Sequence, residues 1–167
     1  MIRLERVDWL DPRAVELREA MDEESSALYA DVGAALPRRD RVTFARVLAV
    51  DPADVVATLI AVDDGSGRVT PIGHAGLKRL HDDLADALEV KKVVVSPERR
   101  GEGISRLLMV ELESIARAFG AARLVLQTGD RQPAAIALYE SLGYEPMAAF
   151  GGYEIFPPSL CYAKTLG

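Results

Sequence analysis

The chain turns on Val90–Phe119, V-K-K-V-V-V-S-P-E-R-R-G-E-G-I-S-R-L-L-M-V-E-L-E-S-I-A-R-A-F. The β-branched run Val93-Val94-Val95 suits a buried strand. Pro97 ends it, because proline has no N–H to give to a ladder. From Ile104 onward, Ile104, Leu108, Leu112, Ile115 and Phe119 recur at spacings of three and four, which is one face of a helix. Gly120 supplies the stop. Between strand and helix lies Arg99-Arg100-Gly101-Glu102-Gly103. The unit is therefore strand, glycine loop, helix start.

Such a unit suits an anion. The first turn of a helix has N–H groups without internal partners, and the helix dipole adds partial positive charge. Glycines let that backbone approach a bulky phosphate, and Arg99, Arg100 and Arg106 add full charges. A plain loop with a charged helix start is the other reading of the same residues. The dinucleotide fingerprint G-x-G-x-x-G fails, since Arg106 stands where its third glycine belongs. The P-loop pattern fails as well, which counts against a nucleotide-binding module.

Outward from this unit, 167 residues are one domain's worth and enough for a real core. A net charge of −6 argues against a nucleic-acid partner and is compatible with a cationic amine. No apolar run reaches membrane-spanning length, and the N-terminus lacks the apolar region of a secretory signal, so neither a membrane partner nor export is expected. The single Cys161 fits a reducing cytoplasm. His74 and His81 have no Cys/His cluster beside them, so no metal is expected.

In chain order, Ile2–Trp9 alternates as a first strand. Asp11-Pro12 starts a helix running to about Ala30, with Val15, Ala20, Met21 and Leu28 as core candidates. Val32–Thr43 reads as an irregular connection with a short helix to Val47, its arginines Arg38, Arg39 and Arg41 in a solvated turn. Asp54–Val62 and Val69–Leu80 form a hairpin around the turn Asp63–Gly67. Gly73 and Gly76 mark a bulge or a close ligand. Ala87–Val95 is the next strand. Beyond the central helix come a strand at Arg123–Gln127, a helix at Pro133–Leu142, and strands at Tyr144–Met147 and Leu160–Thr165. This is a mixed α/β domain of six to seven strands and about four helices, in which Val93–Val95 and Leu124–Leu126 pair in parallel across a right-handed crossover.

The glycine loop resembles the acetyl-CoA loop of the GNAT superfamily of N-acetyltransferases, Arg/Gln-x-x-Gly-x-Gly/Ala. Arg100, Gly103 and Ser105 take its marked positions, serine standing for the usual glycine or alanine. Gln132–Tyr144 is similar to that superfamily's second motif, Asn-x-x-Ala-x-x-x-Tyr-x-x-x-Gly-Phe/Tyr, with Gln132 in place of Asn. The two motifs cover Ala87–Tyr144. The resemblance implies a centrally splayed sheet and acetyl-CoA as co-substrate, with its pantetheine arm against Val93, Val94 and Val95. It places the pyrophosphate on the loop Gly101–Ser105 and implies no metal. A small-molecule or peptide amine would be acetylated by a monomer or homodimer. A non-catalytic CoA-binding regulatory module of the same fold is the alternative.

The chemistry asks for two proton-transfer groups. An amine near pKa ~10 must lose a proton before it attacks a thioester, and the departing thiolate gains from an acid. Tyr139 stands where the superfamily commonly has that acid; taken alone, outside the motif, it reads as an amphipathic core residue whose hydroxyl finds a partner. Glu89 is the base candidate. By period two it shares a strand face with Lys91, Val93 and Val95, and it could act through a water. Its other reading is an exposed strand residue paired with Lys78 or Lys91. Glu24 and Tyr29 are candidates for the acceptor pocket, and specificity is expected in Met21–Thr43 and Phe150–Pro158. Trp9 reads as core.

Overall fold

The computed structural model describes residues 1–65 and 67–167; Ser66, in the expected turn Asp63–Gly67, lies outside the described residues. The elements are β1 (Ile2–Val7), α1 (Pro12–Leu28), α2 (Ala30–Ala35), α3 (Arg38–Leu48), β2 (Val55–Asp63), β3 (Thr70–Arg79), β4 (Ala87–Val95), α4 (Ile104–Phe119), β5 (Arg123–Gly129), α5 (Pro133–Ser141), β6 (Glu145–Met147) and β7 (Ser159–Thr165). The seven strands form one sheet in the order β1-β2-β3-β4-β5-β7-β6. Among the described residues only the β4–β5 contact is parallel. No helix is long and apolar enough to cross a membrane among the described residues.

Local chemistry sets the ends of these elements. The Asp11 carboxylate accepts the Arg13 N–H at 2.9 Å and Pro12 fills the first helical position, so α1 begins where its cap requires. Gly103 (φ 80°) and Gly120 (φ 90°) bracket α4 in the left-handed region that glycine alone enters cheaply. Alternation along β2 sends Leu59 and Ala61 to one face and Ile60 and Val62 to the other. The first face is covered by α4 through Ile104, Leu108 and Leu112. A Cβ on Gly73 would lie 3.1 Å from Ile104 and 3.2 Å from Leu108, so this glycine admits the helix rather than a ligand. The second face is covered by Ala14 and Leu17 of α1. A third cluster joins Val125, Phe150 and Tyr153 to Phe44 and Val47 of α3.

Four expectations are corrected. Val32–Thr43 is not irregular: α2 and α3 occupy it, and Arg38-Arg39-Asp40-Arg41 is the first turn of α3 behind an extended Pro37. The buried face of α1 is Ala14, Leu17 and Arg18, whereas Ala20 and Leu28 are exposed. On α4, Phe119 is exposed beneath Arg79, because a period of 3.6 carries the buried face through Met109, Glu113 and Ala116 instead. Finally, Val93–Val95 does not pair with β5. The parallel ladder joins Ala87, Leu88 and Glu89 to Arg123, Leu124 and Val125 and then stops. Beyond Glu89 the two strands part, and the site lies in the gap.

Candidate active site

A bulge in β4 prepares the gap. Between the pairs His74–Val94 and Gly76–Lys91, β3 advances two residues and β4 three. The extra residue is Lys92, held at φ 57°. Alternation inverts there. Val93 and Val95 pack against the α4 side with Leu88 and Val90, and Val94 packs toward α1. Glu89 and Lys91 therefore do not share a face with Val93 and Val95, as unbroken period two would require.

The bulge is tied down by His74, which is wholly buried. Its Nδ1 lies 2.7 Å from the Lys92 carbonyl, an acceptor only, so Nδ1 carries the proton. Nε2 is then left to accept the Arg18 guanidinium at 3.2 Å. Burial is the main reason the imidazole pKa falls from 6.5 to about 4, so it stays neutral. Arg18 also donates to the Trp9 carbonyl at 2.7 Å and lies over the Trp9 ring, 3.7 Å from its centroid.

Two cavities open along the gap. The smaller, about 190 Å³, is walled by Val93, Val94 and Val95, by Arg99–Ser105 without Glu102, and by Ala134, Ala135 and Leu138 of α5. Gly101 (φ 82°) and Gly103 turn the loop, and a Cβ on either would meet nothing within 4 Å. Glycine is needed here for its backbone angle. No side chain caps α4, and the N–H groups of Gly101 to Arg106 have no protein acceptor among the described residues. The arginines are less free. Arg100 is paired with Glu24 at 2.6 Å and reaches the Val95 carbonyl; Arg99 is paired with Asp63 and Glu102; Arg106 donates to Ser141. Glu24 thus belongs to the mouth of the loop rather than to the acceptor side.

The larger cavity, about 680 Å³, lies between β4, β5 and the helices α1 to α3. Trp9, Met21, Tyr29, Phe44 and Phe156 give it apolar walls, so Trp9 is a wall residue and not core. Tyr29 is fixed by accepting the Arg131 N–H at 2.8 Å. Val93 and Tyr139 line both cavities. Tyr139 is 6% exposed, and its ring lies edge-on to Tyr144 at 6.0 Å. Its hydroxyl has no protein partner among the described residues, and burial raises its pKa, which keeps the phenol protonated.

Glu89 is 2% exposed and borders neither cavity. Its carboxylate accepts the Tyr153 hydroxyl, and that oxygen accepts Lys91 Nζ at 2.7 Å. Lys91 lies 3.6 Å from Glu89 and Lys78 lies 3.8 Å from it. Lys91 does line the larger cavity, and burial is the first cause of its lowered pKa. The sequence shows neither Tyr153 nor Arg18 as a site residue. For Arg18 the available signal is helical spacing, since it follows Ala14 by four on the buried face.

The splayed α/β sheet thus has an anion loop at one mouth of its gap and an apolar chamber at the other. Residues 9–144 match the model of the Acetyltransferase (GNAT) family, and the chain belongs to that family. An IAA acetyltransferase of Azospirillum brasilense is 42% identical over 78 residues, 47% of this chain and 51% of that protein. The chain thus spans about half the length of this relative. A crystal structure described as an acyl-CoA N-acyltransferase of Klebsiella pneumoniae superposes with a TM-score of 0.76 at 26% identity, covering 100% of this chain and 99% of that one. The PaiA N-acetyltransferase of Thermoplasma acidophilum, solved with coenzyme A, has the same fold, with a TM-score of 0.65 at 17% identity and 99% of each chain covered.

Proposed function

We propose that this protein transfers the acetyl group of acetyl-CoA to an amine by direct attack of the amine on the thioester. The observation that carries the reading is the meeting of the two cavities at Val93 and Tyr139, beside a strand edge that has lost its partner. Acetyl-CoA supplies the activated acyl group; the coenzyme A bound to the Thermoplasma relative and the names of the curated relatives favour it as donor. The N–H groups of Gly101 to Arg106 receive pyrophosphate, with Arg100 and Arg106 as charges nearby. The free edge of Val93–Val95 receives the amide-bearing arm, and its N–H groups stabilise the oxyanion that develops on attack.

The proton inventory is served by two groups on opposite sides of the junction. The neutral Tyr139 phenol gives a proton to the leaving sulfur. On the acceptor side Lys91 borders the cavity, and the donor order Lys91 to Tyr153 to Glu89 leads a proton inward to the Glu89 carboxylate. Glu89 acts in this reading as the terminal base, through Tyr153 and Lys91 and not through direct contact with the amine. The lone, buried Cys161 is in keeping with a cytoplasmic setting.

Calorimetry with acetyl-CoA, using NAD and ATP as controls, tests the donor. A panel of amines, aminoglycosides, polyamines and peptide N-termini assayed for CoA release tests the transfer. Gly103→Glu places bulk and negative charge where phosphate must approach and should abolish acetyl-CoA binding. Normal binding by that variant would remove the loop from the site. Binding without CoA release from any amine would favour the regulatory alternative.

A further inference from the structure

We infer that the acceptor is an amine that also carries a carboxylate close to the amino group, an amino acid with an apolar side chain. The inference rests on the acetyl-transfer reading and concerns the acceptor half of the same site.

The argument starts from the charges around the larger cavity. Its walls hold Arg18, Arg41, Lys91 and Lys92, against Asp22 alone. This is the reverse of the whole chain, whose net charge is −6. Two of the four cations are matched. Lys92 pairs with Asp22, and Lys91 lies 3.6 Å from Glu89 behind the wall. Arg18 is different. It is 8% exposed, yet no carboxylate lies within 4.0 Å of it among the described residues. Burial lowers its pKa, and only the more distant Asp22 and Glu19 oppose that.

A buried guanidinium held by neutral groups needs an anion from elsewhere. Its partners here are the Trp9 carbonyl, the Trp9 ring and His74 Nε2. Because His74 commits Nδ1–H to the Lys92 carbonyl, it offers Arg18 a lone pair and no charge. The two hydrogen bonds use two of the five guanidinium N–H groups. The planar fork is thus clamped in the cavity wall with no carboxylate paired to it among the described residues, which suits bidentate recognition of a carboxylate.

Position narrows the class. Arg18 is linked through His74 to the carbonyl of Lys92, the residue before Val93, where the cavities meet. A carboxylate on Arg18 therefore lies near the reacting amine, which fits an amino acid better than a polyamine. The stacked Phe44 and Phe156 rings, 4.3 Å apart, offer an apolar wall for its side chain.

The test compares phenylalanine, phenylalanine amide and phenethylamine as acceptors, with leucine and its amide as a second set, by CoA release at neutral pH. The amide's amine is the weaker base and more of it is free, so preference for the acid cannot come from the amine. The acids should exceed their amides by roughly 10²-fold or more in kcat/KM. Arg18→Gln should reduce that preference to a few-fold while acetyl-CoA affinity stays within about two-fold; Arg18→Lys, which keeps the charge and loses the fork, should fall between. N-acetylphenylalanine and its amide give a binding readout independent of turnover, through the fluorescence of Trp9, the sole tryptophan. Equal use of acids and amides by the unaltered protein overturns the inference even if neither variant folds. So does a preference that survives Arg18→Gln, or failure to bind or acetylate any of the acids. Loss of acetyl-CoA affinity in Arg18→Gln would assign the residue to the donor and also overturn it. Acetylation of amines without acid preference leaves the acetyl-transfer reading standing, whereas failure of the unaltered protein to bind acetyl-CoA refutes both.

Discussion

Replacing Tyr139 with phenylalanine isolates a single hydroxyl. The ring stays, and with it the edge-on contact to Tyr144 at 6.0 Å and the tilted contact to Tyr162 at 6.5 Å. No protein hydrogen bond is broken, because the hydroxyl has none among the described residues. Stability should therefore change by no more than about 0.5 kcal/mol, well below the ~1–3 kcal/mol expected when a buried partner is orphaned. Acetyl-CoA affinity should also hold, since the loop and the β4 edge are untouched. Turnover should fall by roughly 10²–10⁴, or about 2.7–5.5 kcal/mol of barrier, the usual worth of a general acid. Because burial raises the phenol's pKa, the Tyr139-dependent part of the rate should not titrate between pH 6 and 9. CoA release can be followed with a thiol reagent, as the only cysteine, Cys161, is buried and contributes little background. Turnover within a few-fold of the parent, with a good acceptor present, would refute the acid role. A large drop in melting temperature would refute the claim that the hydroxyl is unpartnered.

Three further outcomes are expected. Glu89→Gln should lower turnover most at low pH and least where the amine is already deprotonated; a loss uniform across pH would make Glu89 structural. His74 has its pKa lowered from 6.5 to about 4 in the fold, so the unfolded chain binds more protons between those values. Its contribution is complete above pH ~6.5 and lost as pH falls toward 4, at most about 3 kcal/mol; urea melts should show this slope, and a slope retained in His74→Gln would assign it to another group. A Cβ at Gly129 would fall 2.0 Å from the Tyr29 hydroxyl oxygen, so Gly129→Ala must displace that ring and its bond to Arg131. We expect a cost of about 1–3 kcal/mol and a raised KM for the amine with acetyl-CoA affinity unchanged; an unchanged KM would remove Tyr29 from the acceptor wall.

What sequence reveals here follows from which interactions are local. The unit from β4 through the glycine loop to α4 is legible almost to the residue, because β-branching, Pro97, two glycines and helical spacing all act over neighbouring positions. Pro133 and Gly143 make α5 legible for the same reason. The bulge is not legible in β4, since nothing about Lys92 announces a positive φ. Gly73 and Gly76 on the facing strand mark its neighbourhood, but one of them receives α4 and the other Trp9. That single inserted residue also defeats the period-two argument linking Glu89 to Val93. Arg18 and Tyr153 escape notice because their roles come from partners 56 and 64 residues away, His74 and Glu89. The charged start of α3 looks like a turn because its half-buried apolar residues, Phe44, Val47 and Leu48, all lie toward its other end.

The parallel ladder of three residue pairs has a mechanical consequence. Among the described residues, Ala87–Glu89 against Arg123–Val125 is the only strand-to-strand seam between the four-stranded lobe β1–β4 and the three-stranded lobe β5-β7-β6. A molecule lying in the gap touches both lobes just where the seam is missing, and acts as a removable strand. Donor binding should thus tighten the joint as well as occupy it. Amide hydrogens of Val93–Val95 and Gln127–Gly129 should exchange in concert with those of the seam when the gap is filled, and independently of it when it is not.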